Sequence, residues 1–204
     1  MQSHYDYDKI LERLHKKGVE EYGKQFYIYP EDKDLLCKLL CYFLKDASAA
    51  LRLGINLEKG ILLTGPVGCG KTSIMHLMRF FEPAQNRFIV KSCRDISFEF
   101  IQEGYEIIHR YSHRSFQNHE PKTYCFDDLG TENNLKFFGN ECNVMAEILL
   151  SRYDLFVTRK LVTHLTTNLS ASEIETFYGN RIRSRMRELF NLIAFDKTTK
   201  DKRK

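Results

Sequence analysis

A glycine-rich stretch from Gly65 to Ser73 has the residue types and spacing of a phosphate-binding loop. Gly65, Gly70, Lys71 and Thr72 occupy the fixed positions of the pattern G-x-x-x-x-G-K-[ST]. In such loops, backbone N–H groups surround phosphate at the positive N-terminus of a helix. We expect Lys71 to contact the outer phosphates and the Thr72 hydroxyl to bind Mg²⁺. The alternative is an ordinary turn between a strand and a helix.

The flanking residues favour the phosphate-binding interpretation. Residues 61–63 form a short apolar run that is typical of a buried strand, and residues 72–81 have helical composition up to Pro83. A strand, a loop of small residues and a helix are the three elements that such a site needs. The residues expected to contact the nucleotide are Gly65, Pro66, Val67, Gly68, Cys69, Gly70, Lys71, Thr72 and Ser73.

Two adjacent acids follow another apolar run, residues 124–126. Asp127 and Asp128 are expected at the carboxyl end of this strand, where parallel sheets bind their ligands. We expect Asp127 to hold Mg²⁺ through water and Asp128 to orient or deprotonate the attacking water. An acidic turn after a strand is the alternative.

A third β-rich run, LVTHLTTNLS, ends on Thr167 and Asn168 and continues into a capping-box pattern from Ser170 to Glu173. Because Asn168 is expected at the same edge of the sheet as the acids, it is a candidate to hydrogen-bond the γ-phosphate or the attacking water. A helix cap is the alternative role.

Arginines recur at every second position in the run NRIRSRMRE. Arg181 and Arg185 form an i, i+4 pair beside one apolar helical face. We expect Arg181 to contact the nucleotide, and an arginine of this pair that is supplied to the ATP of a neighbouring subunit would neutralise transition-state charge. A basic, solvent-exposed face is the alternative. The apolar face is predicted to contain Ile182, Met186, Leu189 and Phe190.

The elements that must position these residues alternate along the chain. Five apolar runs, at residues 61–63, 88–90, 124–126, 161–165 and 192–195, predict five strands separated by helical patterns. This alternation favours an α/β fold, with a parallel five-stranded sheet covered by helices on both faces. Residues 55–204 are expected to form this domain, including the arginine helix and a last strand.

Residues 1–54 are predicted to form a helical extension and linker. An amphipathic stretch with Ile10, Leu11 and Leu14 is expected to end at Gly18. Residues 35–53 carry apolar residues at helical spacing, and we expect one helix there that packs on the nucleotide-binding domain.

The composition is that of a globular protein. The 204 residues are 43% hydrophobic and 28% charged, and no apolar run approaches the roughly 18 residues of a membrane span. The first ten residues lack the apolar core of a signal sequence. Six cysteines without a C-x-x-C pair are typical of reduced thiols, so we expect a cytoplasmic protein without zinc. The net charge of +4 is concentrated in the arginine run and in the terminal KDKRK.

Together, these motifs resemble those of the AAA+ ATPases, and among them the DnaC/IstB group of bacterial helicase loaders and transposition helpers. GPVGCGKTS resembles the Walker A motif of this group, YCFDDLG its Walker B motif, LTTN its sensor 1 and NRIRSRMRE its arginine box. The resemblance, which covers residues 55–203, implies a P-loop ATPase with a short helical C-terminal lid and with ATP and Mg²⁺ as cofactors. It also implies a homo-oligomer in which Arg185 is the trans-acting finger, and Arg203 is the nearest candidate for a sensor 2 arginine.

The resemblance further implies single-stranded DNA as a ligand, with a replicative helicase or a transposase as protein partner. Such proteins place DNA contacts between the second and third strands, here residues 104–122. This segment mixes charge with rings that can stack on bases, as single strands require, and a partly exposed helix with a polar face is the alternative. Three histidines, His109, His113 and His119, are a weak candidate for a metal site. The mixed residues are Arg110, Arg114, Lys122, Tyr105, Tyr111 and Phe116.

Three other functions share parts of this pattern. A small-molecule kinase has a phosphate loop but needs an acceptor pocket and no arginine directed at a neighbour. A nucleotide-gated binding module holds ATP with little turnover. A transposition helper differs from a helicase loader only in its partner.

Overall fold

The computed structural model describes residues 5–117, 120–132, 135–137 and 140–203, which form two compact units. We call them the helical unit and the sheet unit. The helical unit contains Gly65–Arg87 and the described parts of 1–57 and 193–204, and the sheet unit contains Glu58–Thr64 and the described parts of 88–192. Both units therefore draw on segments that are distant in the sequence.

The helical unit is built from four α-helices and three short 3-10 turns. The helices are α1 (Tyr7–Tyr22), α2 (Lys33–Phe43), α3 (Ala47–Leu53) and α4 (Lys71–Met78), and the turns are Pro30–Asp32, Arg79–Phe81 and Ala84–Asn86. Helix α2 contacts each of the other three helices. Most of its residues are buried, as its dense apolar pattern predicts.

Two sequence-based helix boundaries in this unit are wrong. Helix α1 continues through Gly18 to Tyr22, so Gly18 does not end it. The glycine instead makes room for the ring of Phe26, since an added β-carbon would lie 2.1 Å from that ring. Residues 35–53 form two helices instead of one. The chain turns at Lys45, which has a positive φ of 55°, and the carboxylate of Asp46 accepts the N–H of Ala49 and starts α3.

The sheet unit contains four more helices and the strands, apart from Ile193 and Ala194 at the end of the last strand. The strands are β1 (Gly60–Thr64), β2 (Ile89–Ser92), β3 (Phe116–Gln117), β4 (Glu120–Pro121), β5 (Tyr124–Leu129), β6 (Leu135–Phe137), β7 (Asn140–Cys142), β8 (Thr163–Thr167) and β9 (Phe190–Ala194). The helices are α5 (Cys93–Glu103), α6 (Glu106–Tyr111), α7 (Val144–Arg159) and α8 (Ala171–Leu189). Two short hairpins, β3 with β4 and β6 with β7, stand apart from the main sheet.

The main sheet has the strand order β2-β5-β8-β1-β9, with parallel pairing of β2 with β5, β5 with β8 and β8 with β1. The predicted α/β fold with a five-stranded parallel sheet is therefore confirmed. Strands β1 and β8 are almost wholly buried, and apart from Gly60 and His164 their residues are apolar or β-branched, as is typical of buried parallel strands. Helix α8 precedes β9, and a turn at residues 197–198 follows that strand.

Helices α5 and α7 pack against each other, and α5 also contacts β2 and β5. Their apolar side chains join those of the strands in one core, which includes Phe100, Phe126 and Leu165. None of the helices in the described part of the chain has the length and apolarity that crossing a membrane requires.

Arg152 of α7 is a completely buried cation in this core. Its guanidinium lies over the rings of Tyr124 and Phe126, at 5.4 and 5.5 Å from their centroids. Burial lowers the pKa of Arg152 to about 9, so the side chain stays charged at neutral pH. It donates five hydrogen bonds, to Thr163 Oγ1, Ser115 Oγ and the carbonyl oxygens of Tyr111, Lys122 and Val162.

Candidate nucleotide-binding site

The phosphate loop lies between β1, which ends at Thr64, and α4, which begins at Lys71. Gly68 and Gly70 have positive φ angles of 78° and 98°, a conformation that favours glycine. Gly70 is the N-cap of α4, and no side chain among the described residues caps this helix. The N-terminus of a helix carries partial positive charge, so this end of α4 suits an anionic ligand.

The ammonium group of Lys71 is held inside the loop. Only 5% of Lys71 is exposed, and its Nζ donates to the carbonyl oxygens of Gly65 and Pro66, at 2.9 and 3.0 Å. Its Nζ also lies 4.0 Å from Cys69 Sγ. A buried cation whose hydrogen-bond partners are neutral attracts an anion strongly. Phosphate oxygens are therefore good acceptors for this group.

The other loop residues differ in exposure. Val67 is exposed, Cys69 is buried, and Thr72 and Ser73 are partly buried. Burial raises the pKa of the Cys69 thiol above its ordinary value, which keeps it protonated and unreactive at neutral pH. The carbonyl oxygen of Ser73 accepts the hydroxyl of Tyr22 at 3.4 Å. This bond links α1 to the first turn of α4.

A cavity of about 170 Å³ adjoins the loop within the helical unit. Aromatic side chains supply much of its wall, and such side chains can stack on a flat base. Sequence analysis did not predict these residues, although four aromatic residues within the stretch YGKQFYIY were a signal for them. The lining residues are Tyr22, Gln25, Phe26, Tyr27, Ile28, Tyr29, Asp32, Leu36, Gly68, Cys69, Gly70, Ser73, Ile74, Lys202 and Arg203.

In the sheet unit, the acids lie at the carboxyl end of β5. The pairing of β5 with β8 shifts register between Phe126 and Leu129, and Asp128 there has a positive φ of 56°. Thr166 of β8 joins the two acids: its hydroxyl donates to Asp127 Oδ1 at 2.6 Å and accepts the N–H of Asp128 at 2.9 Å. Sequence analysis missed Thr166, because the register between the strands cannot be read from either strand alone.

Asp128 lines an open cleft of about 560 Å³ in the sheet unit. Glu132 lies in the same cleft, where it accepts the N–H of Gly130 at 2.9 Å and the hydroxyl of Tyr178. Burial, followed by the charge of Glu132, raises the pKa of Tyr178 above its ordinary value, so Tyr178 remains a hydrogen-bond donor. The other lining residues are Ser92, Arg94, Ser97, Phe98, Ile101 and Thr131.

Asn168 is exposed immediately after β8, in the chain position predicted for it. On α8, Arg181 is exposed, whereas the guanidinium of Arg185 lies over the ring of Tyr153, 4.5 Å from its centroid, and 4.0 Å from Asp154. Arg185 thus projects toward α7 of its own chain. The predicted apolar face is found in Ile182, Met186 and Leu189, which are buried; Phe190 is also buried but begins β9 instead.

The basic segment between β2 and β5 is largely neutralised. Arg110 forms an ion pair with Glu103, and Arg114 forms one with Glu106. Tyr111 is buried and its hydroxyl donates to Glu99 at 2.8 Å, so its ring is not available for stacking. His119, the third histidine of the candidate metal site, lies outside the described residues.

The six cysteines are free thiols. Burial raises the pKa of Cys41 to about 11 and that of Cys93 above its ordinary value, so neither thiol is ionised at neutral pH. The described part of the chain contains no cluster of three or more histidine, cysteine or acidic side chains that is arranged to hold a metal ion.

Solved structures with a similar fold include a helicase loader and a putative primosome component. A crystal structure of the DnaC helicase loader superposes with a TM-score of 0.59 and 15% identity, over 91% of this chain and 99% of that chain. A putative primosome component from Streptococcus pyogenes serotype M3 gives a TM-score of 0.55 and 18% identity, over 80% and 79% of the two chains.

A third similar structure contains a bound nucleotide analogue. DnaA from Aquifex aeolicus, bound to AMPPCP, gives a TM-score of 0.52 and 18% identity, over 84% of this chain and 48% of that one. At the level of sequence, neither a family model nor a curated protein matches this chain. The fold is therefore shared with the DnaC helicase loader and with DnaA from Aquifex aeolicus.

Proposed function

We propose that the chain is an ATP-hydrolysing switch that acts on single-stranded DNA or on a replication partner. One observation carries the proposal: α4 begins without a side-chain cap at a loop that buries Lys71 beside an aromatic cavity. An N-terminus of this kind and a buried ammonium group fit phosphate, and the aromatic wall fits a base.

The side chains also fit a magnesium-bound nucleotide. We propose that the Thr72 hydroxyl and the Asp127 carboxylate hold Mg²⁺, since both are hard oxygen ligands of the kind this ion takes. When bound, Mg²⁺ would neutralise charge on the phosphates. Asp128 would orient or deprotonate the attacking water, Asn168 would hydrogen-bond that water or the γ-phosphate, and Arg181 would contact the nucleotide.

Two substitutions test nucleotide binding and turnover separately. Lys71→Ala should abolish binding of a fluorescent ATP analogue, because it removes the cation within the loop. Asp128→Asn should keep that binding while stopping phosphate release. Lys24→Ala, at an exposed lysine of the same unit, is the control and should change neither. Undiminished hydrolysis in both site variants would exclude the ATPase.

The same measurements separate the competing functions. Tight ATP binding with negligible phosphate release, with and without DNA, would identify a nucleotide-gated binding module. Transfer of the γ-phosphate to a small acceptor would identify a kinase. Capture of a helicase or of a transposase by the full chain in the ATP state would decide between the loader and the transposition helper.

DNA binding is supported by the surface of α5 better than by the predicted basic segment. Phe98 and Ile101 are 51% and 53% exposed, Tyr105 follows the helix at 46%, and the guanidinium of Arg94 lies over Phe98 at 5.5 Å. Exposed rings beside a cation are what single-stranded nucleic acid needs. We therefore propose this surface, and not the basic segment, as the contact for single-stranded DNA.

We further propose that the protein acts in the cytoplasm as a homo-oligomer. Six free thiols suit a reducing compartment. Arg185, which lies against Tyr153 and Asp154 of its own α7, would leave these contacts to reach the ATP of a neighbouring subunit.

A further inference from the structure

The end of the described chain folds back onto the phosphate loop within the helical unit. The backbone N–H of Lys202 donates to the carbonyl oxygen of Gly68 at 2.9 Å. The carboxylate of Asp201 approaches the same glycine so closely that an added β-carbon would lie 2.1 Å from its Oδ1. Phe195 likewise packs against Gly65. We call residues 195–203 the tail, and it contacts the loop at two points.

The side chain of Lys202 joins the tail to the start of α2. Its ammonium group forms an ion pair with Asp32, and the two side chains are only 16% and 11% exposed. The ammonium also lies over the rings of Tyr29 and Phe195, at 4.9 and 5.0 Å from their centroids. Asp32 occupies the N-cap position of α2, yet its carboxylate does not cap that helix. The Asp32 carboxylate therefore pairs with Lys202 instead of capping α2.

This ion pair spans the wall of the nucleotide cavity. Lys202 and Arg203 contribute to that wall from the tail, Tyr29 and Asp32 from the segment before α2, and Gly68 from the loop. A molecule bound in the cavity is consequently bordered by the tail. Because the pair is shielded from water, salt screens it less than it screens a surface pair.

We infer that the tail is a latch that controls how long a nucleotide stays bound. With Lys202 paired to Asp32, the tail closes one side of the cavity, and the nucleotide leaves only after the pair separates. The inference rests on the proposed binding of ATP in this cavity. Removing one member of a shielded charge pair acts mainly on a dissociation rate. We therefore expect loss of the pair to raise the rate at which the nucleotide dissociates.

The test measures release of a fluorescent ATP analogue from the full chain after addition of excess ATP. Lys202→Met and Asp32→Asn should each accelerate release by about tenfold or more. Lys200→Met, at an exposed lysine of the same tail, should leave release unchanged. The double exchange Asp32→Lys with Lys202→Asp should restore slow release, since it reforms the pair with its charges reversed.

A second measurement shows whether the pair holds the tail, independently of nucleotide. Amide hydrogen exchange of the peptide covering residues 196–204 should be faster in Lys202→Met than in Lys200→Met. Unchanged exchange, or faster exchange with unchanged release, would overturn the latch while leaving ATP binding intact. Failure of the wild-type chain to bind the analogue would instead overturn the proposed function, and the latch with it.

Discussion

The hydroxyl of Thr166 donates to the carboxylate of Asp127 at 2.6 Å, and the same oxygen accepts the backbone N–H of Asp128 at 2.9 Å. One side chain on β8 thereby fixes one acid directly and the other through its backbone. Asp128 needs this support, because its positive φ is uncommon for a residue with a side chain. Thr166 is thus a positioning residue for the proposed chemistry.

Replacing Thr166 with valine should slow ATP hydrolysis far more than it weakens ATP binding. Valine keeps the shape of threonine but neither donates to Asp127 nor accepts from Asp128. Leaving a buried polar partner unsatisfied costs about 1–3 kcal/mol, so a comparable loss of unfolding free energy is expected. Steady-state kinetics should show a lower kcat at a nearly constant KM.

Thr166→Ser is the matched rescue, since it restores the hydroxyl and removes only a methyl group. Thr158→Val tests the same change on α7, where an exposed hydroxyl bonds the backbone oxygen of Asp154. Equal losses of kcat in Thr166→Val and Thr166→Ser would mean that packing, and not the hydrogen bonds, sets the rate.

Substitutions on α5 should weaken binding of single-stranded DNA more than substitutions on the basic segment. Phe98→Ala should cost about 1–3 kcal/mol, the usual contribution of one stacked base. Arg94→Ala should reduce the dependence of affinity on salt, because fewer counterions are released. Fluorescence anisotropy with a labelled oligonucleotide at several salt concentrations measures both effects.

The comparison variant is the double substitution that carries both Arg110→Ala and Arg114→Ala. Both arginines already form ion pairs, with Glu103 and Glu106, so their removal should change affinity and salt slope little. A larger effect from this pair than from Phe98→Ala would return the DNA site to the segment between β2 and β5.

The sequence predicted where the loop lies between β1 and α4 and where the acids lie on β5, because the chemistry expected of them constrains neighbouring residues. Lys71 must follow Gly70 directly, and Asp127 must follow an apolar strand, so each pattern is contained in about ten residues. The ends of the five main strands were predicted to within about two residues, except that β5 continues from the predicted end at residue 126 to Leu129. The run predicted at 161–165, for example, is strand Thr163–Thr167. The short strands β3, β4, β6 and β7 were not predicted.

The rest of the site depends on residues that are far apart in the sequence. The cavity wall brings Tyr29 and Asp32 together with Lys202. Nothing in the run KDKRK shows that its second lysine, Lys202, pairs with an acid 170 positions away. Likewise, the charges of Arg110 and Arg114 suggest an anion site only while their acidic neighbours are ignored. Charge counted along a chain does not show which charges are paired.

Removing the buried cation of α7 should strongly destabilise the protein. Arg152→Met leaves as many as five acceptors without their donor, and we expect a loss of about 3 kcal/mol or more in the free energy of unfolding. Urea unfolding followed by circular dichroism measures this loss. Arg159→Met, near the exposed end of the same helix, should change the midpoint little. Similar midpoints for the two variants would show that the buried network adds little stability.

Arg185→Ala should leave ATP affinity nearly unchanged and remove most turnover. Arginine fingers contribute on the order of 10³–10⁵ in rate, and we propose that Arg185 leaves the ring of Tyr153 to act as such a finger. Arg187→Ala, at an exposed arginine of the same helix, is the control and should hydrolyse ATP normally. Phosphate release and analogue binding, measured side by side, separate the two effects.

Mixing two inactive variants decides whether Arg185 acts on a neighbouring subunit. Arg185→Ala protein lacks the finger but keeps Asp128, and Asp128→Asn protein keeps the finger but lacks the acid. If the finger acts in trans, an interface between the two variants pairs an intact finger with an intact acid, and the mixture should recover part of the turnover. Wild-type turnover per subunit should also fall on dilution, because monomers lose the finger of their neighbour. Constant turnover on dilution, together with no recovery in the mixture, would show that Arg185 serves its own site or none.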